Sequence, residues 1–212
     1  MSGRMKGIII GIVGLTVLLI GLLFRPSNQE DKAWESENKI DTYWEVGDFE
    51  LIDQTGEPFS SEELKGKIWV ANFVFTSCAA ECPLLSQQLS LVRRNIGDRP
   101  DIAFVSFSVD PQTDTPERLA SYAEPYGLDP RWSLLTGEVD KVTELVTSKF
   151  LMPLNRDQDP NNADDTVISH SDKMLIIDGQ GVVRYFCNGL NQRTVQSLTD
   201  VIQVLLQESG VY

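Results

Sequence analysis

The stretch KIWVANFVFTSCAAECPLLSQQLSLVRRNI, Lys67–Ile96, joins two apolar segments of different period through a loop with two cysteines. Its first part, KIWVANFVFT, is rich in β-branched and aromatic residues and is long enough for a strand buried on both faces. After Pro83 the apolar residues Leu84, Leu85, Leu89 and Val92 recur at helical spacing, and proline is favoured in the first turn of a helix. The stretch therefore predicts a central strand that passes directly into a helix.

The same strand-then-helix order recurs downstream. The segments IAFVSFSV, 102–109, and WSLLTG, 132–137, predict buried strands. The helix after the first of them is expected to begin near Pro116, with Asp114 or Thr115 as its N-cap. A second helix is expected over EVDKVTELVTSKF, 138–150.

Hairpins and loops complete the pattern. Turn residues predict a short hairpin around 55–57 and another around 178–181, and an amphipathic helix closes the chain. The segment PLNRDQDPNNADDTV, 153–167, is rich in Asp, Asn and Pro and predicts a loop. Alternating strands and helices predict the α/β class, as a three-layer sandwich with an N-terminal β hairpin.

The N-terminal region predicts a membrane anchor. Residues 7–24 carry no charge and as one transmembrane helix would span about 27 Å, close to the thickness of a bilayer core. Arg4 and Lys6 precede this run and acidic residues follow it, which favours an N-in orientation. A cleaved signal peptide is the alternative, although no small-x-small cleavage site ends the run.

This organisation gives four predicted parts. Residues 1–6 are expected to be cytoplasmic, 7–24 the anchor, 25–46 a polar tether, and 47–212 the folded domain on the periplasmic or extracytoplasmic side of the inner (cell) membrane. The net charge of −13 excludes nucleic acid as a partner. Three cysteines outside the cytoplasm suggest one pair and one further thiol.

The cysteine loop allows more than one chemistry. Cys78 and Cys82 are separated by three residues, and Cys82 is expected in the first helical turn, where the helix dipole lowers a thiol pKa. The sulfurs can approach closely, so a disulfide and a two-thiolate metal site are both feasible. Two thiolates select Cu(I) or Zn and usually need a third donor. His170, the one histidine of the chain, lies in the segment before the penultimate strand and is the candidate.

Three segments, FVFTSCAAECP, SVDPQTDTPERL and ISHSDKMLIID, resemble in order and spacing the signature segments of the SCO/SenC proteins. That family comprises membrane-anchored, thioredoxin-like copper chaperones for cytochrome c oxidase. The resemblance implies a thioredoxin-like copper-binding domain that holds one copper ion, Cu(I) or Cu(II), through Cys78, Cys82 and His170. It also implies a redox-active Cys78–Cys82 disulfide and a functional acidic residue, Asp110, near the metal. Asp110 is otherwise expected to be a turn residue before Pro111.

The resemblance further implies a partner: cytochrome c oxidase subunit II, whose binuclear copper site would receive copper or have its thiols prepared, or an assembly factor of the oxidase. No small-molecule substrate is expected. The alternative function is a thiol–disulfide oxidoreductase acting on extracytoplasmic protein cysteines. The wide cysteine spacing weighs against it, as does the lack of a proline between Asn161 and Lys173, where redox enzymes of this fold place a cis-proline.

Two further predictions concern a peroxidase-like function and the third cysteine. A peroxidase-like thiol enzyme needs an arginine beside the attacking thiolate, and Arg93 and Arg94 lie too far along the helix from Cys82 to serve. Cys187 is expected to be a small apolar filler at a strand end, with a resolving thiol as the alternative.

Overall fold

The structure, a computed structural model, describes residues 40–127, 129–159 and 162–210. The packed unit begins at Ile40. The predicted anchor, 7–24, and the predicted cytoplasmic segment, 1–6, lie outside the described residues. None of the helices in the described ranges is long and apolar enough to cross a membrane.

The domain contains nine described strands and four α-helices. The strands are β1 (Glu50–Ile52), β2 (Pro58–Ser60), β3 (Ile68–Val74), β4 (Ile102–Ser108), β5 (Trp132–Leu135), β6 (Leu154–Asp159), β7 (Asn162–His170), β8 (Lys173–Ile177) and β9 (Val183–Asn188). The helices are α1 (Glu81–Ile96), α2 (Pro116–Ala123), α3 (Val139–Glu144) and α4 (Thr194–Glu208). A π-helical turn, Leu145–Lys149, continues α3, and 3-10 turns cover Ser61–Leu64 and Glu124–Tyr126.

The central sheet has five strands in the order β5-β4-β3-β8-β9. Strands β3, β4 and β5 are parallel, while β8 and β9 are antiparallel to their neighbours. Because β3 lies in the middle, its residues alternate between two buried faces. Trp69 and Phe73 face one core with α3 and the β1–β2 hairpin. Val70 faces the other core, with α1, α2 and α4. The predicted three-layer α/β sandwich with its N-terminal hairpin is confirmed.

The segment 153–167 is not a loop, and that prediction was wrong. Residues 154–159 belong to β6 and 162–167 to β7, an antiparallel pair with Leu154 opposite His170. Leu154 and Ile168 pack against the core beside α3, and this burial outweighs the turn preference of the Asp, Asn and Pro residues between them. In the structure, His170 therefore lies at the end of a strand rather than in a loop.

The end of the predicted tether also differs from expectation. Tyr43 N–H donates to the Val183 carbonyl and Val46 N–H to that of Gly181, while Val183 N–H donates back to Trp44. Val46 is buried. This backbone pairing covers the start of β9, so residues 40–46 belong to the packed domain.

Candidate metal and thiol site

The site forms where β3 and β4 end side by side. Both strands are parallel, so their carboxyl ends meet at one edge of the sheet, where sites collect in open α/β folds. Val109, just after β4, donates its N–H to the Val74 carbonyl at 2.9 Å and so joins the two ends. The chain leaves β3 through a loop that carries Cys78 and enters α1 at Glu81. Pro83 lies in the first turn, as predicted.

Cys78 and Cys82 face each other across the start of α1. Cys82 is fully buried and its N–H donates to the Cys78 sulfur, with N and Sγ 3.4 Å apart. Cys78 is partly exposed. Both residues are free thiols in this structure, and the disulfide between them stays a prediction.

The shift of the Cys82 pKa is opposite to the prediction. Burial raises the pKa of Cys82 despite its place at the helix N-terminus, because a buried thiolate loses its hydration. Burial also acts on Cys78, but the backbone N–H groups of Cys82, Ala80 and Glu81 point to its sulfur and together lower its pKa. Cys78 is therefore the thiol that ionises readily, and Cys82 is held as a neutral thiol.

His170 lies against the buried thiol. Its Nε2 is 3.5 Å from the Cys82 sulfur, while its Nδ1 lies 2.9 Å from the Ser171 carbonyl oxygen. A carbonyl oxygen only accepts, so Nδ1 carries the proton and the Nε2 lone pair points to the sulfur. Burial lowers the pKa of His170, which favours this neutral form. The ring also packs edge-on against Phe75, with centroids 5.5 Å apart.

The three predicted donors are brought into one place without forming a closed coordination shell. In the part of the chain that the structure describes, no group of three or more His, Cys, Asp or Glu side chains is arranged as a metal cluster. The Cys82 sulfur and His170 Nε2 lie 3.5 Å apart. An ion bound by both would lie between them, about 2.0–2.3 Å from each. Two sulfurs and a tautomerically fixed imidazole are the donors that copper prefers. The donor set fits copper, and its role as a ligand set remains a prediction.

Asp110 and Asp114 have different surroundings. The Asp110 carbonyl accepts from the N–H groups of Thr113 and Asp114, so the residue holds a turn, and its function near a metal stays a prediction. The N-cap of α2 was predicted to be Asp114 or Thr115, and it is Thr115, whose hydroxyl accepts from Arg118 N–H, so Asp114 does not cap the helix.

The Asp114 carboxylate is fully buried and links the cysteine loop to β4. It accepts from the Thr76 hydroxyl at 2.6 Å and N–H at 3.1 Å, and from the Ser108 hydroxyl at 2.6 Å. Burial raises its pKa, and these donors oppose the shift. Sequence reasoning missed this role because the two partners, Thr76 and Ser108, lie on two separate segments.

Three arginines complete the surroundings. Arg93 donates to the carbonyls of Tyr126 and Gly127 and so is engaged away from the thiols, in line with the predicted exclusion of a peroxidase-type site. Arg118 reaches the cysteine loop through the Ser77 hydroxyl. Arg156, on β6, donates to Val109 and Thr143 and was not singled out in the sequence. The available signal in the sequence was that Arg156 is a cationic residue within the acidic segment 153–167.

Cys187 lies on β9, opposite Met174, and packs against the core shared by α1 and α4. Burial raises its pKa to about 11. A thiol of that acidity is almost wholly protonated at neutral pH, which agrees with the predicted role as an apolar filler. The alternative, a resolving thiol, stays a prediction.

Comparison with known proteins bears on the family. The SCO1/SenC family model matches residues 37–206. A SCO2-like protein of Rickettsia prowazekii is 32% identical over 194 residues, which cover 90% of this chain and 91% of that protein.

Solved structures agree. Arabidopsis thaliana ScoI with copper bound superposes with a TM-score of 0.65 at 25% identity, covering 76% of this chain and 98% of that one. BsSco, described as having a disulfide switch and as a member of the Sco family of cytochrome c oxidase assembly proteins, gives a TM-score of 0.65 at 26% identity, covering 82% and 98%. The sandwich is thus the thioredoxin-like Sco fold, and this chain belongs to the SCO1/SenC family, whose members include copper-binding and cytochrome c oxidase assembly proteins.

Proposed function

We propose that this protein is a membrane-anchored copper chaperone that holds one copper ion through Cys78, Cys82 and His170. Its domain would lie on the extracytoplasmic side and deliver copper to the binuclear site of cytochrome c oxidase subunit II, or prepare the thiols of that site. Family membership supports the class of function, and the copper-bound Sco relative supports the cargo. The uncharged run at 7–24 supports the anchor.

The contact between Cys82 and His170 carries the proposal. The neutral imidazole of His170 donates a hydrogen bond from Nδ1 to the Ser171 carbonyl. Its Nε2 lone pair therefore points to the buried Cys82 thiol 3.5 Å away. An entering Cu(I) ion would replace the thiol proton between these two atoms, and the partly exposed Cys78 would complete a soft three-donor set. Because Cys78 is at the surface edge of this set, it is the ligand that an acceptor thiol could displace first.

A second function, thiol–disulfide oxidoreductase, is favoured by the different acidities of the two cysteines. The Cys78 thiolate would attack one sulfur of a substrate disulfide, forming a mixed disulfide and releasing one substrate thiolate. Cys82 would then lose its proton and attack the Cys78 sulfur, releasing the second substrate thiol and leaving a Cys78–Cys82 disulfide. Two electrons thus pass to the substrate. Since the oxidised pair cannot bind copper, the two functions exclude each other at any one moment.

Copper titration of the reduced full-length chain tests the first function. We expect one copper ion per chain in the wild type and in the control Cys187→Ser, a lost or weakened site in Cys78→Ser, and a changed spectrum in His170→Ala. Unchanged stoichiometry and spectra in both Cys78→Ser and His170→Ala would refute the ligand set.

Transfer distinguishes the two functions. The loaded chain is mixed with a copper-free soluble domain of cytochrome c oxidase subunit II in which the cysteines are either reduced or oxidised. Copper appearing on the reduced domain supports delivery, and its failure to move refutes delivery. Reduction of the oxidised domain by His170→Ala, but not by Cys78→Ser, would favour the oxidoreductase.

A further inference from the structure

The hairpin that carries His170 stands apart from the main sheet. Strands β6 and β7 form a two-stranded sheet of their own and share no ladder with the five-stranded sheet. His170 is the last residue of β7, opposite Leu154, the first residue of β6. The position of the imidazole relative to the cysteines therefore depends on the two-residue link from His170 to β8 and on what fastens the rest of this hairpin to the domain.

Arg156 makes the fastening hydrogen bonds. Its Nε and Nη2 donate to the Val109 carbonyl at 3.0 and 2.8 Å, and its Nη1 donates to the Thr143 hydroxyl at 2.6 Å. Among the hairpin side chains that the structure describes, 154–157 and 168–170, the other bond to a distant part of the domain is that of His170 with Cys82. Two apolar side chains, Leu154 and Ile168, also pack against the core, but hydrophobic contact is non-directional and does not fix the orientation of the hairpin.

Both acceptors of Arg156 are themselves fixed. The Thr143 hydroxyl donates to the Val139 carbonyl within α3, which leaves its lone pair for the guanidinium. Val109 is fully buried, and its N–H donates to the Val74 carbonyl at the end of β3. One residue, Val109, therefore contacts both parts: its N–H bonds to the end of the strand from which the cysteine loop departs, and its carbonyl accepts from the hairpin that carries His170.

Charge supports the same arrangement. Burial of Arg156 lowers the pKa of its guanidinium, and the negative charge of Asp110 opposes that shift. Asp110 therefore helps to keep Arg156 charged. The planar fork of arginine suits the site because two acceptors are engaged at once, which lysine cannot reproduce.

We propose that Arg156 is a positioning residue that clamps the β6–β7 hairpin to the ends of β4 and α3 and thereby sets the distance from His170 to Cys82. The inference rests on the proposed function only in its consequence for copper, since the clamp itself is a property of the copper-free protein. Loss of the fork would let the hairpin open and would separate the imidazole from the thiols without removing any ligand.

The first experiment measures the clamp without copper. Amide hydrogen exchange of the reduced full-length chain is followed by mass spectrometry in Arg156→Met, Arg156→Lys and Thr143→Val. Arg131→Met is the matched control, because Arg131 is also partly buried and donates to Asp129 and the Gly97 carbonyl on another part of the domain. We expect exchange in 154–159 and 162–170 to rise by about tenfold in Arg156→Met, less in the other two, and not at all in Arg131→Met. Equal hairpin exchange in Arg156→Met and Arg131→Met overturns the proposal.

The second experiment measures copper affinity by competition with a chelator. Partners outside the coordination shell typically change metal affinity by about 10–100-fold, and we expect that range for Arg156→Met, with partial recovery in Arg156→Lys. Faster hairpin exchange with unchanged affinity would overturn the positioning role. If the wild type takes up no copper, the proposed function fails, and the clamp is judged on the exchange experiment alone. Arg156→Lys keeps the test decisive if Arg156→Met does not fold.

Discussion

Alkylation of the reduced protein should label Cys78 first and the other two cysteines much later. The structure gives the three thiols different environments: backbone N–H groups lower the pKa of Cys78, whereas burial raises those of Cys82 and Cys187. Only the thiolate reacts with iodoacetamide, so the order of labelling reports these environments.

The expected ratio can be worked out for Cys187. Its pKa is raised from an ordinary 9.0 to about 11, so below pH 9 its thiolate fraction is about 100-fold smaller than that of an unshifted cysteine. A more basic thiolate is a better nucleophile, and a Brønsted slope of about 0.4–0.5 returns roughly tenfold. Because the pKa of Cys78 lies below the ordinary value, Cys78 should react at least about tenfold faster than Cys187 at pH 7. Cys82, with no exposed surface, should be slower still.

The measurement is a time course with limiting iodoacetamide, quenched, digested and quantified by peptide mass spectrometry. The same chain in concentrated urea serves as control, since all three thiols should then react within a few-fold of one another. Labelling of Cys82 as fast as Cys78 in the folded protein would refute the assigned acidities. An ordering that persists in urea would show that the neighbouring sequence, not the fold, sets the rates.

Three further outcomes are expected. Asp114→Ala leaves the Thr76 and Ser108 donors unpaired and should lower the free energy of unfolding in urea by about 2–4 kcal/mol, against less than about 1 kcal/mol for Asp110→Ala; equal losses would contradict this. Because burial lowers the pKa of His170 below 6.5, its neutral donor form persists as the pH falls. Release of the Cys82 proton makes the copper affinity fall with pH, but at a copper concentration that saturates the site the stoichiometry should stay level between about pH 7.5 and 6.5, and a half-maximal loss of stoichiometry at pH 6.5 would count against this. Cys187→Ser should leave the copper stoichiometry and the Cys78 labelling rate unchanged, and a change in either would revive a resolving role.

The fold was predictable where local pattern and tertiary packing agree. The continuous apolar run of β3 and the helical spacing after Pro83 agree with the structure, because the strand is covered on both faces and α1 packs against one of them. The β6–β7 hairpin was missed because its Asp, Asn and Pro content indicates a loop. What makes it a hairpin is the burial of Leu154 and Ile168 against a core contributed by distant segments. No local window contains that information.

The site shows the same division between short-range and long-range effects. Cysteine spacing, the lone histidine and the order of the motifs indicated which side chains would meet, and His170 does lie against Cys82. The pKa shift of Cys82 was predicted wrongly because the helix dipole is a local property, while desolvation depends on everything packed over the sulfur. The roles of Asp114 and Arg156 likewise depend on partners brought together from several elements.

The buried neutral thiol of Cys82 has a consequence for the proposed cargo. A thiolate at this position is disfavoured first by burial and then by the acidic groups of Cys78 and Glu81 nearby, and His170 in its neutral form supplies no positive charge. A monovalent soft cation placed between this sulfur and Nε2 would supply the missing charge as the proton leaves, so deprotonation and metal binding become one event. The same burial slows ionisation of Cys82 in the absence of metal, which protects it from oxidation while Cys78 stays reactive. Accessible copper, rather than pH alone, would then decide when both sulfurs act together.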